Sequence, residues 1–521
     1  MTVTERRRES IRTVPGVVAR AAHEHPATTA LVAQAADGTT RRTTYQELDD
    51  LTAQVASGLV SRGIRPGDRV ALCLDNTTGH EAVISLVAIH KARAIGVPIN
   101  TRYSPDEICG ALERSGATAV IGAAEVLDLV GQSGPAACTV RLDVRGDHAD
   151  PRAWSRLASE GRDDLAPPGE HDDADWLFTS GTTSQPKCAM FTHAAAVATG
   201  EGVAEALDLG TGDIVQGSFP FSTSSGCHLL LLSALTSGAT LVLEPSFDRT
   251  DTLRRLVEEQ TTVFVAVPTV YAFLLDEPGF DQEHLPHLRL IDYGGAPMPT
   301  RDIHRLYERF PKIELRQTYG LTEAGPGGIY LPGEYALSKV GAVGIHPMGD
   351  LQFRVVDDEA GVLDGPGEGE IQYRGPSLMR GYFGDAQATR DALTDGWLRT
   401  GDIVRVDEDG VVFHLDRAKD IIIRGGFNIA SIEVEDRLVA HPDVREAAVV
   451  PIPHDKLGED VAAIVVPRAG AEIDIDALQR HCRETLADYK VPRTIVVADA
   501  LPRNAMGKVL KKELRRRWEN T

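Results

Sequence analysis

At 521 residues the chain exceeds the ~250–300 residues at which a single hydrophobic core stops growing, so a large cored domain and at least one more are expected. A formal charge of -22, with acidic residues spread along the chain, excludes the basic surface that nucleic acid or an anionic membrane needs. The six cysteines lie far apart, with no CxxC pair and no zinc-ligand spacing, and read as reduced thiols.

MTVTERRRESIRTV, at the start, has basic residues but no apolar stretch behind them, and no run approaches the ~20 apolar residues of a membrane span. A cytoplasmic protein is expected. ATAVIGA (117–123) reads as a buried strand, and so do DWLF, from Asp175 to Phe178, ATLVLEP (239–245), TTVFVAVP (261–268) and LRLIDYGG (288–295). DTLRRLVEE and RDIHRLYERF have the spacing of surface helices. This alternation predicts an α/β fold with layered, largely parallel sheets.

After about residue 348 the pattern changes. LQFRVVD, GEIQYRG and GDIVRVDEDGVVFHLD are alternating strands, with a hairpin signal from Asp407 to Gly410, and predict a β-rich subdomain. Beyond DRAKDIIIRGGFN comes a compact α+β series ending in LKKELRRRW. The expected division is a large N-terminal domain, 1–418, and a small mobile C-terminal domain, 419–521, joined by a link short enough to permit rotation without drift.

Between Phe178 and Ala189 stands a run of small residues, Thr179, Ser180, Gly181, Thr182, Thr183 and Ser184, followed by Pro186-Lys187. With DWLF as a strand and a helix from Ala189 onward, backbone N–H groups, hydroxyls and the helix dipole would converge on phosphate, and Lys187 would add charge. The spacing is not Walker A, since Pro186 takes the second glycine position and Cys188 replaces Ser/Thr. Gln317 to Glu323 offers an aromatic face at Tyr319, then Gly320, the Thr322 hydroxyl and the Glu323 carboxylate for magnesium. Trp397 to Asp402 reads as a strand ending in an acid suited to a ribose diol, and Leu501 to Lys508 puts a lysine on a Gly turn.

In this order the motifs resemble the adenylate-forming superfamily of acyl- and aryl-CoA synthetases, luciferases and nonribosomal-peptide adenylation domains, over nearly the whole chain. The resemblance implies that Thr179 to Thr183 with Lys187 hold phosphates, and that Gly294, Gly295, Ala296 and Pro297 with Tyr319 and Gly320 contact adenine. It implies Asp402 and Arg417 for the ribose, and Thr179 and Glu323 for Mg2+. Lys508, Lys187, Thr322 and Glu323 are the implied catalytic set. Lys419 is the implied hinge, with Gly425, Gly426 and Phe427 on the thioester side. ATP, Mg2+ and coenzyme A are the implied small molecules, with a carboxylic acid as substrate.

The sequence also departs from the family. In the segment Phe219 to Gly226, Ser222 and Thr223 stand where histidine is usual, and no aspartate is offered to a substrate ammonium group. With Gly226, Cys227, Gly295 and Gly325 they outline the expected acid pocket, for a small or polar acid, aromatic included. Ser431 stands where proline is frequent, with no consequence legible in the sequence. CoA is the expected acceptor. A carrier protein in trans, an amine, a non-carboxylate oxyanion and a non-catalytic ATP-binding regulator are the alternatives. The oligomer is expected to be a monomer or homodimer.

Overall fold

Apolar runs of four to six residues become strands buried along their length, because a parallel strand covered on both faces has no polar side. The structure is a computed structural model, and it describes residues 12–159, 165–179, 186–296, 298–357, 359, 361–418, 420–425, 427–503 and 509–519. Of the residues singled out above, Ser180, Gly181, Thr182, Thr183, Ser184, Pro297, Lys419, Gly426 and Lys508 lie outside the described residues. Among the described residues no helix is long and apolar enough to cross a membrane.

Outside the undescribed segments, the chain divides into two units. One runs to Phe353 and takes up Tyr373–Leu398; the other holds Arg354–Gln372 and Arg399–Thr521. In the first unit a nine-stranded sheet carries, in spatial order, Glu314–Gly320, Leu290–Gly294, Val263–Ala266, Ile214–Gly217, Thr240–Leu243 and Thr29–Gln34 as its parallel centre. A seven-stranded sheet is built around Asp173–Phe178, Ile95–Pro98, Arg69–Cys73, Ala119–Gly122 and Val140–Asp143, also parallel. Phe264, Tyr271, Ile291, Leu306 and Phe310 share one fully buried cluster, each side chain stabilising by about 1.5–3 kcal/mol. The helices begin where local chemistry starts them: Thr44 and Glu47 cap Tyr45–Ser61 reciprocally, as Ser104 and Glu107 cap Pro105–Ser115.

The second unit carries the hairpin in which residues 402–406, the later part of the strand Trp397–Val406, pair with Val412–Arg417, turning at Asp407 to Gly410 as expected. It also carries a smaller sheet in which Gly458–Pro467 pairs with Val444–His454, Ile422–Arg424 and Thr494–Val497. Ser431–Val439, Ile475–Arg483 and Lys511–Glu519 are its helices.

Two local expectations fail. Residues from Ala189 onward do not begin a helix: Cys188–Thr192 is a strand, antiparallel to Asp173–Phe178, with Phe178 opposite Cys188. Five apolar and polar residues cannot fix their period alone, and pairing with the neighbouring strand decides it. The helix starts later, at His193, where the Thr192 hydroxyl accepts from the Ala195 amide. Asp402 does not end its strand either, because the alternation that buries Leu398, Thr400, Asp402 and Val404 runs on to Val406.

Candidate active site

The carboxyl ends of parallel strands lead directly into the segments singled out by sequence. Ile214–Gly217 leads towards 219–226, Leu290–Gly294 into Gly295 and Ala296, Glu314–Gly320 into Thr322 to Gly325, and Asp173–Phe178 into Thr179. Open α/β sheets present ligands at such ends. Gly294 and Thr318 are neighbours in register, so the Gly295-Ala296 segment and Tyr319 leave the same edge side by side.

The strands on either side of residues 180–185 pair with each other, and the buried Thr179 closes their neck by donating its amide to the Lys187 carbonyl at 2.8 Å. This places Thr179 and Lys187 together, and because Cys188–Thr192 is a strand, the dipole of a helix from Ala189 onward, invoked from sequence, is not there. Cys188 is a buried strand residue in an apolar cluster, and burial pushes its thiol up to about 12.

Lys187 Nζ lies 4.8 Å from the ring centroid of Tyr382, a cation over an aromatic face. The Tyr382 hydroxyl donates to Glu323 Oε1 at 2.7 Å. One tyrosine thus links the lysine of the loop neck to the expected metal-binding carboxylate, leaving the second oxygen of Glu323 for a cation. Among the described residues no three acidic, histidine or cysteine side chains gather as a metal cage. The Glu323 carboxylate, held through one oxygen by Tyr382, fits magnesium, which is bound through one or two carboxylates, water and substrate phosphates.

Glu323 sits in the single turn Thr322–Ala324. The Thr322 hydroxyl lies 3.0 Å from that of Ser224, and Gly325 ends the turn at φ 87°, where a Cβ would stand 2.2 Å from Thr199 Oγ1. On the segment expected to line the acid pocket Ser222 is half-buried, whereas Thr223 turns its hydroxyl back to the Pro220 carbonyl (2.7 Å) and accepts from the Gly226 amide (3.1 Å). Gly226 packs so close that a Cβ would lie 2.3 Å from the Pro220 oxygen. Cys227 is fully buried, its thiol pushed far up by burial and directed at the Thr223 carbonyl. Asn76 braces the same segment, donating to the Phe219 carbonyl and accepting from the Phe221 amide.

In the second unit Asp402 and Arg417 face each other across the hairpin, Arg417 Nε standing 2.6 Å from Asp402 Oδ1. Gly425 makes a turn at φ 60°, its amide on the Leu457 carbonyl, and Phe427 is exposed, stacked 4.6 Å from Tyr489. Ser431 acquires a consequence: its amide donates to Asp416 Oδ2 at 2.7 Å and its hydroxyl bonds the same oxygen, neither of which proline can do. Lys511 Nζ reaches both Ser431 Oγ and, at 2.8 Å, Glu435, and one turn further on Arg515 pairs with Asp420.

Tyr382, Ser224 and Asn76 carry no local sequence signal, because each acts on a partner far away in the chain.

The chain matches the family described as AMP-binding enzyme over residues 18–383 and the AMP-binding enzyme C-terminal domain over residues 433–508. It is 36% identical to a feruloyl-CoA synthase of Amycolatopsis over 477 residues, covering 91% of this chain and 94% of that protein. It is 35% identical to a long-chain-fatty-acid–CoA ligase of Mycobacterium tuberculosis over 484 residues, covering 92% and 94%. Its fold superposes on ATP-bound MatB of Rhodopseudomonas palustris with a TM-score of 0.87 at 29% identity, covering 97% and 99%. The chain therefore belongs to the AMP-binding enzyme family, the adenylate-forming enzymes that activate a carboxylic acid with ATP and pass the acyl group to coenzyme A.

Proposed function

We propose that the chain is an AMP-forming acid:CoA ligase for a small or polar acid, aromatic acids included. The observation that carries the reading is the Tyr382 link, which draws the phosphate-loop lysine and the Glu323 carboxylate onto one aromatic side chain. Thr179 and Lys187 hold the pyrophosphate end of ATP, Gly294 to Ala296 and Tyr319 its adenine, and Asp402 with Arg417 its ribose. The acid's carboxylate oxygen attacks the α-phosphorus, the bond to pyrophosphate breaks, and Lys508 neutralises charge on the phosphoryl oxygens. Glu323 and the Thr179 hydroxyl would hold magnesium, which would supply Lewis-acid charge there. The thiol of CoA then displaces AMP from the acyl carbon. In this reading the 419–521 domain turns about Lys419, exchanging the Lys508 loop for the Gly425 to Phe427 loop.

CoA is the proposed acceptor because the curated relatives are named as CoA ligases or synthases. Pyrophosphate release screened over aliphatic, aromatic and amino acids identifies the acid, and CoA offered against a phosphopantetheinyl carrier identifies the acceptor. A thioester formed on the carrier alone would remove the CoA assignment. Lys508→Ala is expected to abolish nearly all adenylate formation yet spare thioester formation from supplied adenylate; equal loss of both half-reactions would sink its assigned role.

A further inference from the structure

Behind the pocket wall lies a polar cluster that no step above uses. The Asp175 carboxylate, on the strand that leads to Thr179, bridges two histidines: His90 Nε2 stands 2.9 Å from Oδ1 and His228 Nε2 3.0 Å from Oδ2. All three side chains are wholly buried. The other ring nitrogen of His228, Nδ1, faces the Gly325 carbonyl at 3.2 Å.

Hydrogen-bond chemistry fixes the direction of this chain. A carbonyl oxygen only accepts, so His228 Nδ1 carries a proton and donates it to Gly325. Asp175 Oδ1 accepts from His90, and a single proton lies between Asp175 Oδ2 and His228 Nε2. Burial opposes ionisation of Asp175, but the two imidazoles outweigh it and hold the carboxyl well below the usual range. Among the groups facing the cluster are His193, edge-on to His90 at 5.2 Å, Phe191, edge-on to His228 at 5.3 Å, and the Cys227 thiol, which burial and the Asp175 charge keep protonated. Burial, with His90 beside it, pushes His193 down to about 3 and keeps it neutral.

The position of His228 gives the cluster its use. Ser224 and His228 lie at two points of one stretch, His228 within the π-helical turns Ser225–Leu232, a geometry common at functional sites. Ser224 holds the Thr322 hydroxyl at one end of the Thr322 to Gly325 turn, and His228 holds the Gly325 carbonyl at the other. Glu323 stands between these two bolts. We propose that His228, anchored on Asp175, is a positioning residue for adenylation that sets the Glu323 carboxylate by fixing the far end of its turn. The inference rests on the reading of Glu323 as the magnesium-binding side chain.

The test compares variants of the full chain by the magnesium concentration giving half-maximal pyrophosphate release, by kcat, by KM for CoA and by the urea unfolding midpoint. Asp175→Asn keeps every bond, its amide oxygen accepting from His90 and its NH2 donating to His228 Nε2, and is expected to stay within a few fold of wild type. Asp175→Ala and His228→Phe lose the anchor or the bolt, and the magnesium requirement is expected to rise about tenfold or more while KM for CoA stays near wild type. His228→Gln, whose amide can still donate to Gly325, recovers part of the loss. A normal magnesium requirement in His228→Phe overturns the proposal, as does Asp175→Asn behaving like Asp175→Ala, or an equal rise in KM for CoA. If His228→Phe does not fold, NMR shifts of the wild-type imidazole nitrogens decide, since an unprotonated Nδ1 at His228 refutes the bolt. Failure of the wild type to release pyrophosphate with any acid would instead bring down the proposed function, and the NMR result would stand apart from it.

Discussion

Cys188 shows how a single residue changes meaning between sequence and structure. From sequence it stands just past a loop lysine, where a helix is expected to begin. In the structure it is a buried strand residue facing an apolar cluster, so Cys188→Gly removes packed volume and adds backbone freedom in a strand. We expect Cys188→Gly to lower stability by about 1–3 kcal/mol with the ATP Michaelis constant little changed. An unaltered urea midpoint would show that the strand tolerates the loss. The motif residues stand out in the sequence because hydroxyls, a lysine and a carboxylate are the residue types that phosphate and metal chemistry uses. Their supports were not: nothing local to Tyr382 says that it will meet Glu323, and nothing in Asp175 names His90 and His228.

Among elements, the buried parallel strands were read correctly from apolar runs, and the Asp407 to Gly410 hairpin from its turn residues. Cys188–Thr192 was misread because a run that short has no measurable period, and its state is set by the strand beside it. The helix Ser431–Val439 carries a second lesson, since a residue that looked neutral proves to hold Asp416 through two donors. Ser431→Pro removes both, leaving a nearly buried carboxylate and Lys511 with fewer partners. We expect a loss of about 1–3 kcal/mol, read as a lower urea midpoint, with Ser431→Thr close to wild type. Equal midpoints for Pro and Thr would show that the bonds to Asp416 contribute nothing.

For the whole molecule, buried acids make stability depend on pH. Burial raises Glu244 from 4.5 to about 7 against the opposing bonds from Gln216 and Thr252, and raises Asp292 from 3.8 to about 7 against the bond from Thr318. Between the unfolded and folded values the native chain keeps a proton that the unfolded chain has lost. The stabilisation is therefore complete below about pH 4 and falls as pH rises towards 7, by at most about 1.4 kcal/mol per group per pH unit. Urea midpoints at pH 5.5 and 7.5 should differ less in Glu244→Gln and Asp292→Asn than in wild type, and an unchanged difference would place the slope elsewhere. The two-residue strand Gly381–Tyr382 has a different bearing on the molecule as a whole. It pairs with Cys188–Thr192 from far downstream and completes the edge of the seven-stranded sheet. The strand pair that flanks residues 180–185 thus remains an open sheet edge until a distant segment returns to cover it, a contact of high order that favours slow closure and leaves the partly folded chain prone to edge-to-edge association.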